Sequence, residues 1–134
     1  MKYLLDTDTC SALIRGGAGV LGRRFAAVSQ ADVRMSVITF GELHYGCALR
    51  PRRKALLERV IAFARVVEPL PLHDGVARHY GEIRAGLKSA GTPIGPNDLW
   101  IAAHARALDM TLVTHNLREF KRVPKLKLDD WIGA

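Results

Sequence analysis

The sequence predicts an α/β sandwich, with helices packed around a mostly parallel β-sheet. Three observations predict it. Short apolar runs alternate with longer helical segments along the whole chain. The 134 residues suit one domain, residues 1–134, with a real core. No internal repeat, low-complexity tract or long linker interrupts the alternation.

The elements follow in order. "YLLD" (3–6) is a short apolar run and reads as a buried strand. Helices are expected over Thr9–Arg15 and Val20–Ser29, then a strand at "DVRMS" (32–36). Helices Val37–Leu49 and Arg52–Ala64 come next, with Pro51 suited to a first turn. "RVVEP" (65–69) reads as the third strand. Helix Asp74–Ala90 ends at Gly91, and helix Asn97–Leu108 follows. "TLVT" (111–114) is the fourth strand, and the alternation in "KLKLDD" (125–130) suggests a short edge strand.

Composition narrows the function classes. The net charge of +7 favours a polyanionic partner such as RNA or DNA, or an acidic protein, although a solvated basic surface would look the same. No apolar run approaches the ~20 residues of a membrane-spanning helix, and Asp6 interrupts the apolar start too early for a signal peptide. Cys10 and Cys47 form neither a Cys-x-x-Cys pair nor a disulfide framework. A soluble cytoplasmic protein with reduced thiols is expected.

In parallel α/β sheets, function collects at the carboxyl ends of the strands. Asp6 ends the first strand, Glu42 follows the second by about one and a half helical turns, and Asn116 lies just past the fourth. Asp98 opens the helix leading into that strand, at the head of the apolar face Ile101, Ala102, Ala105 and Leu108. Grouped carboxylates repel and are costly to desolvate together. A hard divalent cation such as Mg²⁺ relieves that cost.

Each residue also has a plainer explanation. Asp98 could serve the helix dipole, with Asn97 as N-cap. "TFGE" has capping-box spacing around Glu42, although Ser36 is an equally good cap. Asp6 could be a cap, but Asp8 is the better candidate. The four together favour a site.

"YLLDTDTCSALI", "SVITFGELHYG", "PIGPNDLWIAAHARAL" and "TLVTHNLREFKRVPKLKLDDW" occur in this order. In these stretches, from residue 1 to about 131, the chain resembles the PIN-domain ribonucleases, and more narrowly the VapC-type toxins of bacterial toxin–antitoxin pairs. The resemblance implies a compact three-layer α/β/α domain with a central, mostly parallel sheet. It implies a Mg²⁺-dependent endoribonuclease, with Mn²⁺ an alternative ion. Asp6 and Asp98 would be direct metal ligands, with Glu42 close by or acting through water. Asn116 matches a fourth position that is Asp in many members, and Thr114 a hydroxyl position. Water would attack phosphorus in line, with Asn116 and Thr114 positioning it or the phosphate. A VapB-type antitoxin and a homodimer are implied as partners, beside the RNA substrate.

Asn116 is a departure: a neutral amide cannot act as a base, which puts a two-metal mechanism in doubt. Asp8, where the family often has Asn, is a candidate to restore the lost charge. "RPRRK" (50–54) and "REFKRVPKLK" (118–127) are basic stretches suited to RNA phosphates or to solvent. The histidines show no zinc spacing, and His115 beside Asn116 could touch substrate, although a plain loop histidine is the default reading. A phosphoryl-accepting receiver domain shares the length and alternation. It would need paired acids after the first strand and a Lys after the last, where this chain has "DTD" and "TLVTHN". A catalytically silent PIN-like module that binds RNA or protein is the other rival.

Overall fold

The computed structural model describes residues 1–50, 52 and 54–133. Five strands form one sheet in the order β3-β2-β1-β4-β5, and every neighbouring pair is parallel. β1 (Tyr3–Leu5), β2 (Val33–Ser36) and β4 (Thr111–Val113) fall where the apolar runs predict them, and β5 (Leu128–Asp129) is an edge strand as expected. β1 pairs with β2 from Tyr3 opposite Val33, and with β4 from Tyr3 opposite Thr111. β3 (Glu68–Leu70) sits further along than "RVVEP" suggests, because Arg65 and Val66 complete a helix instead.

The chain winds from β1 through β2 to β3, then crosses back to place β4 on the other side of β1. The crevice at the carboxyl ends of β1 and β4 is therefore the switch point of the sheet, where open α/β folds bind ligands.

Helices cover both faces, giving three layers. On one face lie α1 (Thr7–Ile14), α2 (Val20–Ala27), α3 (Val37–Ala48) and α4 (Lys54–Val66). They pack on Leu5, Val33, Met35 and Val113. On the other face lie α5 (Asp74–Ala90) and α6 (Pro96–Ala107), packed on Leu4 and Leu112. A four-residue α7 (Leu117–Phe120) joins β4 to the last strand. α6 is more enclosed than its predicted apolar face: all five residues from Ile101 to Ala105 are buried. α5 has the predicted limits, and Gly91 closes it in the left-handed conformation at φ 71°, which glycine adopts without strain. Pro51 lies outside the described residues, so the first turn predicted for it does too.

Two caps hold the helices that matter for the site. Ser36 caps α3: its hydroxyl accepts from the Ile38 N–H at 3.1 Å. The same oxygen meets Nδ1 of the fully buried His104 at 2.8 Å, tying α6 to the start of α3. Burial pushes His104 down to about 4, so the imidazole is neutral near pH 7. Asp6 caps α1, its carboxylate accepting from the Thr9 N–H at 2.9 Å. Asp8, expected as the better cap, instead lies in the first turn and is exposed. The chain leaves β1 directly into the helix, so the residue immediately after the strand takes the cap position.

Candidate active site

Side chains from several elements converge on one cavity of about 180 Å³, lined by Asp6, Thr7, Asp8, Glu42, Asp98, Asn116 and Phe120. Asp6 arrives from the end of β1 and Glu42 from the second turn of α3. Asp98 comes from the first turn of α6. Asn116 stands between β4 and α7. The sequence-predicted residues Asp6, Glu42, Asp98 and Asn116 thus share one cavity, and Thr114 lies beneath it, fully buried.

Each side chain has a different degree of restraint. Asp6 is 4% exposed. Burial raises its pKa, while hydrogen bonds from Thr114 and Thr9 and the nearby Asp8 charge modify the shift. Thr114 also accepts from the Asn116 N–H at 3.0 Å through its hydroxyl, which fixes the turn after β4. Glu42 accepts a short hydrogen bond of 2.5 Å from the Thr7 hydroxyl, which stands 3.3 Å from the hydroxyl of Thr39. Thr39 is buried in this cluster and is not the helix cap.

Asp98 is different. Burial, then the charge and hydrogen bond of Glu119, then Glu42 and Asp6 push its pKa up to about 7. Gly95, not Asn97, caps α6. Asp98 still faces the helix N-terminus, where the dipole favours an anion, so desolvation and neighbouring acids outweigh the dipole here.

Glu119 is the residue that sequence reasoning misses. Its carboxylate accepts from the Gly95 N–H at 3.1 Å and from the Asn116 amide at 2.5 Å. A further carboxylate therefore stands behind the cavity on α7, while the position that is Asp in many members of the resembled family holds the amide that orients it. A signal existed: Glu119 lies three residues after Asn116, the spacing of a helix-start capping pair, just past a strand. Thr7, which holds Glu42, was also unforeseen.

The donor set suits a hard cation. All the side-chain donors are oxygens, and burial with mutual repulsion leaves Asp98 short of compensating positive charge. Among the described residues, no three His, Cys, Asp or Glu side chains converge tightly enough to enclose an ion. Oxygen donors of this kind are those an ion of the Mg²⁺ class takes, since it keeps several waters and is held by one or two carboxylates. The arrangement does not fit a caged zinc site.

Of the basic stretches, Arg118, Lys121, Arg122, Lys125 and Lys127 are exposed. Arg122 is held to the Pro93 carbonyl and Lys127 pairs with Asp109. Pro51 and Arg53 of "RPRRK" lie outside the described residues. No described helix is long and apolar enough to cross a membrane.

Comparison with known proteins places these features in context. A PIN domain model matches residues 3–126. The chain is 39% identical over 133 residues to a Salmonella typhimurium protein named tRNA(fMet)-specific endonuclease VapC, covering 98% of each. It is 34% identical over 132 residues to Ribonuclease VapC1 of Haemophilus influenzae, again covering 98% of each. Among solved structures, DNA-bound VapBC from Salmonella typhimurium matches with a TM-score of 0.93 at 37% identity, covering 98% of each chain. VapBC2 from Rickettsia felis, bound to a promoter DNA fragment, matches at 0.92 and 32% identity, covering 98% of this chain and 99% of that one.

Proposed function

This chain belongs to the PIN-domain family and stands with its VapC ribonucleases, and from that premise we propose a metal-dependent endoribonuclease that acts as the toxin of a toxin–antitoxin pair. The observation that carries the proposal is the cavity at the sheet's switch point, where Asp6, Glu42 and Asp98 meet with Glu119 behind them in a protein of net charge +7. The acids hold the cation, and the basic surface holds the RNA.

A Mg²⁺ or Mn²⁺ ion on Asp6 and Asp98, with Glu42 alongside, would supply a nucleophilic water at neutral pH and offset charge on the phosphate. The chain's own residues prepare that site. Thr9 and Thr114 hold the Asp6 carboxylate in one orientation, and Thr7 holds Glu42. Asn116 fixes Glu119 and keeps its carbonyl oxygen to accept from a water or a ribose hydroxyl. Phe120 closes the cavity's apolar side and limits bulk water.

The partners follow the same logic. A cleft of about 150 Å³ between α1, α3 and α4 is lined by Ile14, Leu43, Leu56 and Val60, with Arg15, Arg50 and Glu42 among its polar residues. It suits an apolar segment of a VapB-type antitoxin. The exposed Val37 and Tyr45 of α3, with Leu49 just after it, give apolar area for a homodimer contact. The name of the Salmonella relative makes initiator tRNA the first substrate to offer, in the cytoplasm.

The test is incubation of antitoxin-free protein with total cellular RNA in Mg²⁺, in Mn²⁺ and in chelator, beside Asp98→Ala. Discrete fragments that require both metal and Asp98 are expected. Folded protein that cuts in neither metal would favour the silent module, which the neutral Asn116 also suits.

A further inference from the structure

A second cavity, of about 480 Å³, opens on the far side of Asp8 and Asn116. Its lining is Asp8, Ser11, Ala12, Arg15, His115, Asn116 and Ile132. Asp8 and Asn116 also line the acidic cavity, so the two share a wall.

His115 is built into its wall. Nδ1 lies 3.0 Å from an Asp130 carboxylate oxygen, and the ring is 59% exposed. Asp130 is itself fixed: its other oxygen accepts from the Ile132 N–H at 2.9 Å and the Gly133 N–H at 3.0 Å. Burial pushes the Asp130 carboxyl up, but the Gly133 and Ile132 hydrogen bonds and His115 outweigh that and hold it below its ordinary value. An ionised acceptor selects the imidazole form with a proton on Nδ1 and leaves Nε2 free to meet a ligand. Across the cavity, Arg15 is exposed, and among the described residues it makes no ion pair. Ala12 and Ile132 add apolar surface between them. A cation, an oriented ring nitrogen and an apolar patch are what a nucleotide requires, and the volume is that of a small-ligand site.

We propose that this cavity is the subsite for the nucleotide flanking the scissile phosphate, with Arg15 on its phosphate and His115, aimed by Asp130, on its base or ribose. The proposal rests on the reading of the acidic cavity as an RNA-cleaving site. His115 contributes binding and has no part in the chemical step, so it should act on KM and leave kcat alone.

The experiment uses full-length, antitoxin-free protein and labelled initiator tRNA as the probe. Cleavage kinetics are measured in Mg²⁺, and binding is measured separately by anisotropy in chelator. His115→Ala should raise both KM and Kd about tenfold, the upper end of what one hydrogen bond contributes, with kcat within about twofold. His115→Gln, which restores a polar terminus, should recover part of the loss, and the thermal midpoint should not move. Unchanged KM and Kd would overturn the subsite, as would a fall in kcat alone. Weakened inhibition by antitoxin with unchanged RNA binding would assign the surface to a protein partner and also overturn it. If wild-type protein fails to cut in metal, the nuclease reading falls, while the binding arm still decides the subsite.

Discussion

The acidic cavity has two unlike walls. The strand-end wall is Asp6, backed by Thr9 and Thr114. Its carboxylate is buried, hydrogen-bonded and used as a helix cap. The helix-head wall is Asp98 with Glu119. There the second carboxyl intensifies the first, and the pair is short of positive charge. The difference teaches that burial alone does not define a candidate cation ligand. Asp6 serves the fold as a helix cap, whereas Asp98 is crowded by other acids and is relieved by a proton or, on the proposed function, by a cation.

Removing each wall should therefore give the largest and clearest contrast. Both Asp6→Ala and Asp98→Asn should lose cleavage. Asp6→Ala should also cost about 1 kcal/mol of stability, the usual loss for a helix N-cap. Asp98→Asn should stabilise the metal-free protein above about pH 7. The sign follows from linkage. The folded state binds the Asp98 proton more tightly than the unfolded chain, so stability falls as pH rises from about 4 to about 7 and stays low above that. His104 acts in the opposite direction. Its pKa is lowered to about 4, so stability rises with pH from there to its ordinary value of 6.5. Denaturant midpoints of wild type minus Asp98→Asn cancel the histidine and isolate the carboxyl. A flat difference across that range would remove the distinction between the walls.

A smaller effect is expected from the residues around Asp98. Glu119→Gln should move the Asp98 pKa back toward the usual carboxylate range and weaken Mg²⁺ binding without abolishing cleavage, read as the pH dependence of the thermal midpoint with and without Mg²⁺. Asp8→Asn should weaken Mg²⁺ binding least, since Asp8 lies exposed at the cavity's edge. An Asp8 effect exceeding that of Glu119 would reverse the order and restore Asp8 as the substitute for a missing carboxylate.

Much of this architecture is legible from the chain. Apolar runs place β1, β2 and β4, the alternation in "KLKLDD" places β5, and Ser36 and Gly91 mark a helix start and a helix end. What escapes depends on tertiary context. Val66 favours a strand by its β-branched side chain, yet it completes α4, and the strand begins only after the fully buried Val67. α7 spans four residues, too few for periodicity to register. Asp6, Glu42 and Asp98 are legible as polar residues set into apolar sequence. Glu119 is harder to read: its spacing from Asn116 is a signal, but its neighbours Arg118 and Lys121 make it look like one charge on a solvated face. Only the folded turn after β4 brings it beneath Asn116 and against the α6 cap.

The most direct test of the central claim is calorimetric titration of Mg²⁺ into antitoxin-free protein near pH 7, the value to which Asp98 is raised. It should be run in two buffers of different ionisation enthalpy, beside Asp98→Asn. The account predicts binding accompanied by net proton release, and loss of both in the variant. Binding of equal strength in Asp98→Asn, with no proton released by wild type, would contradict it.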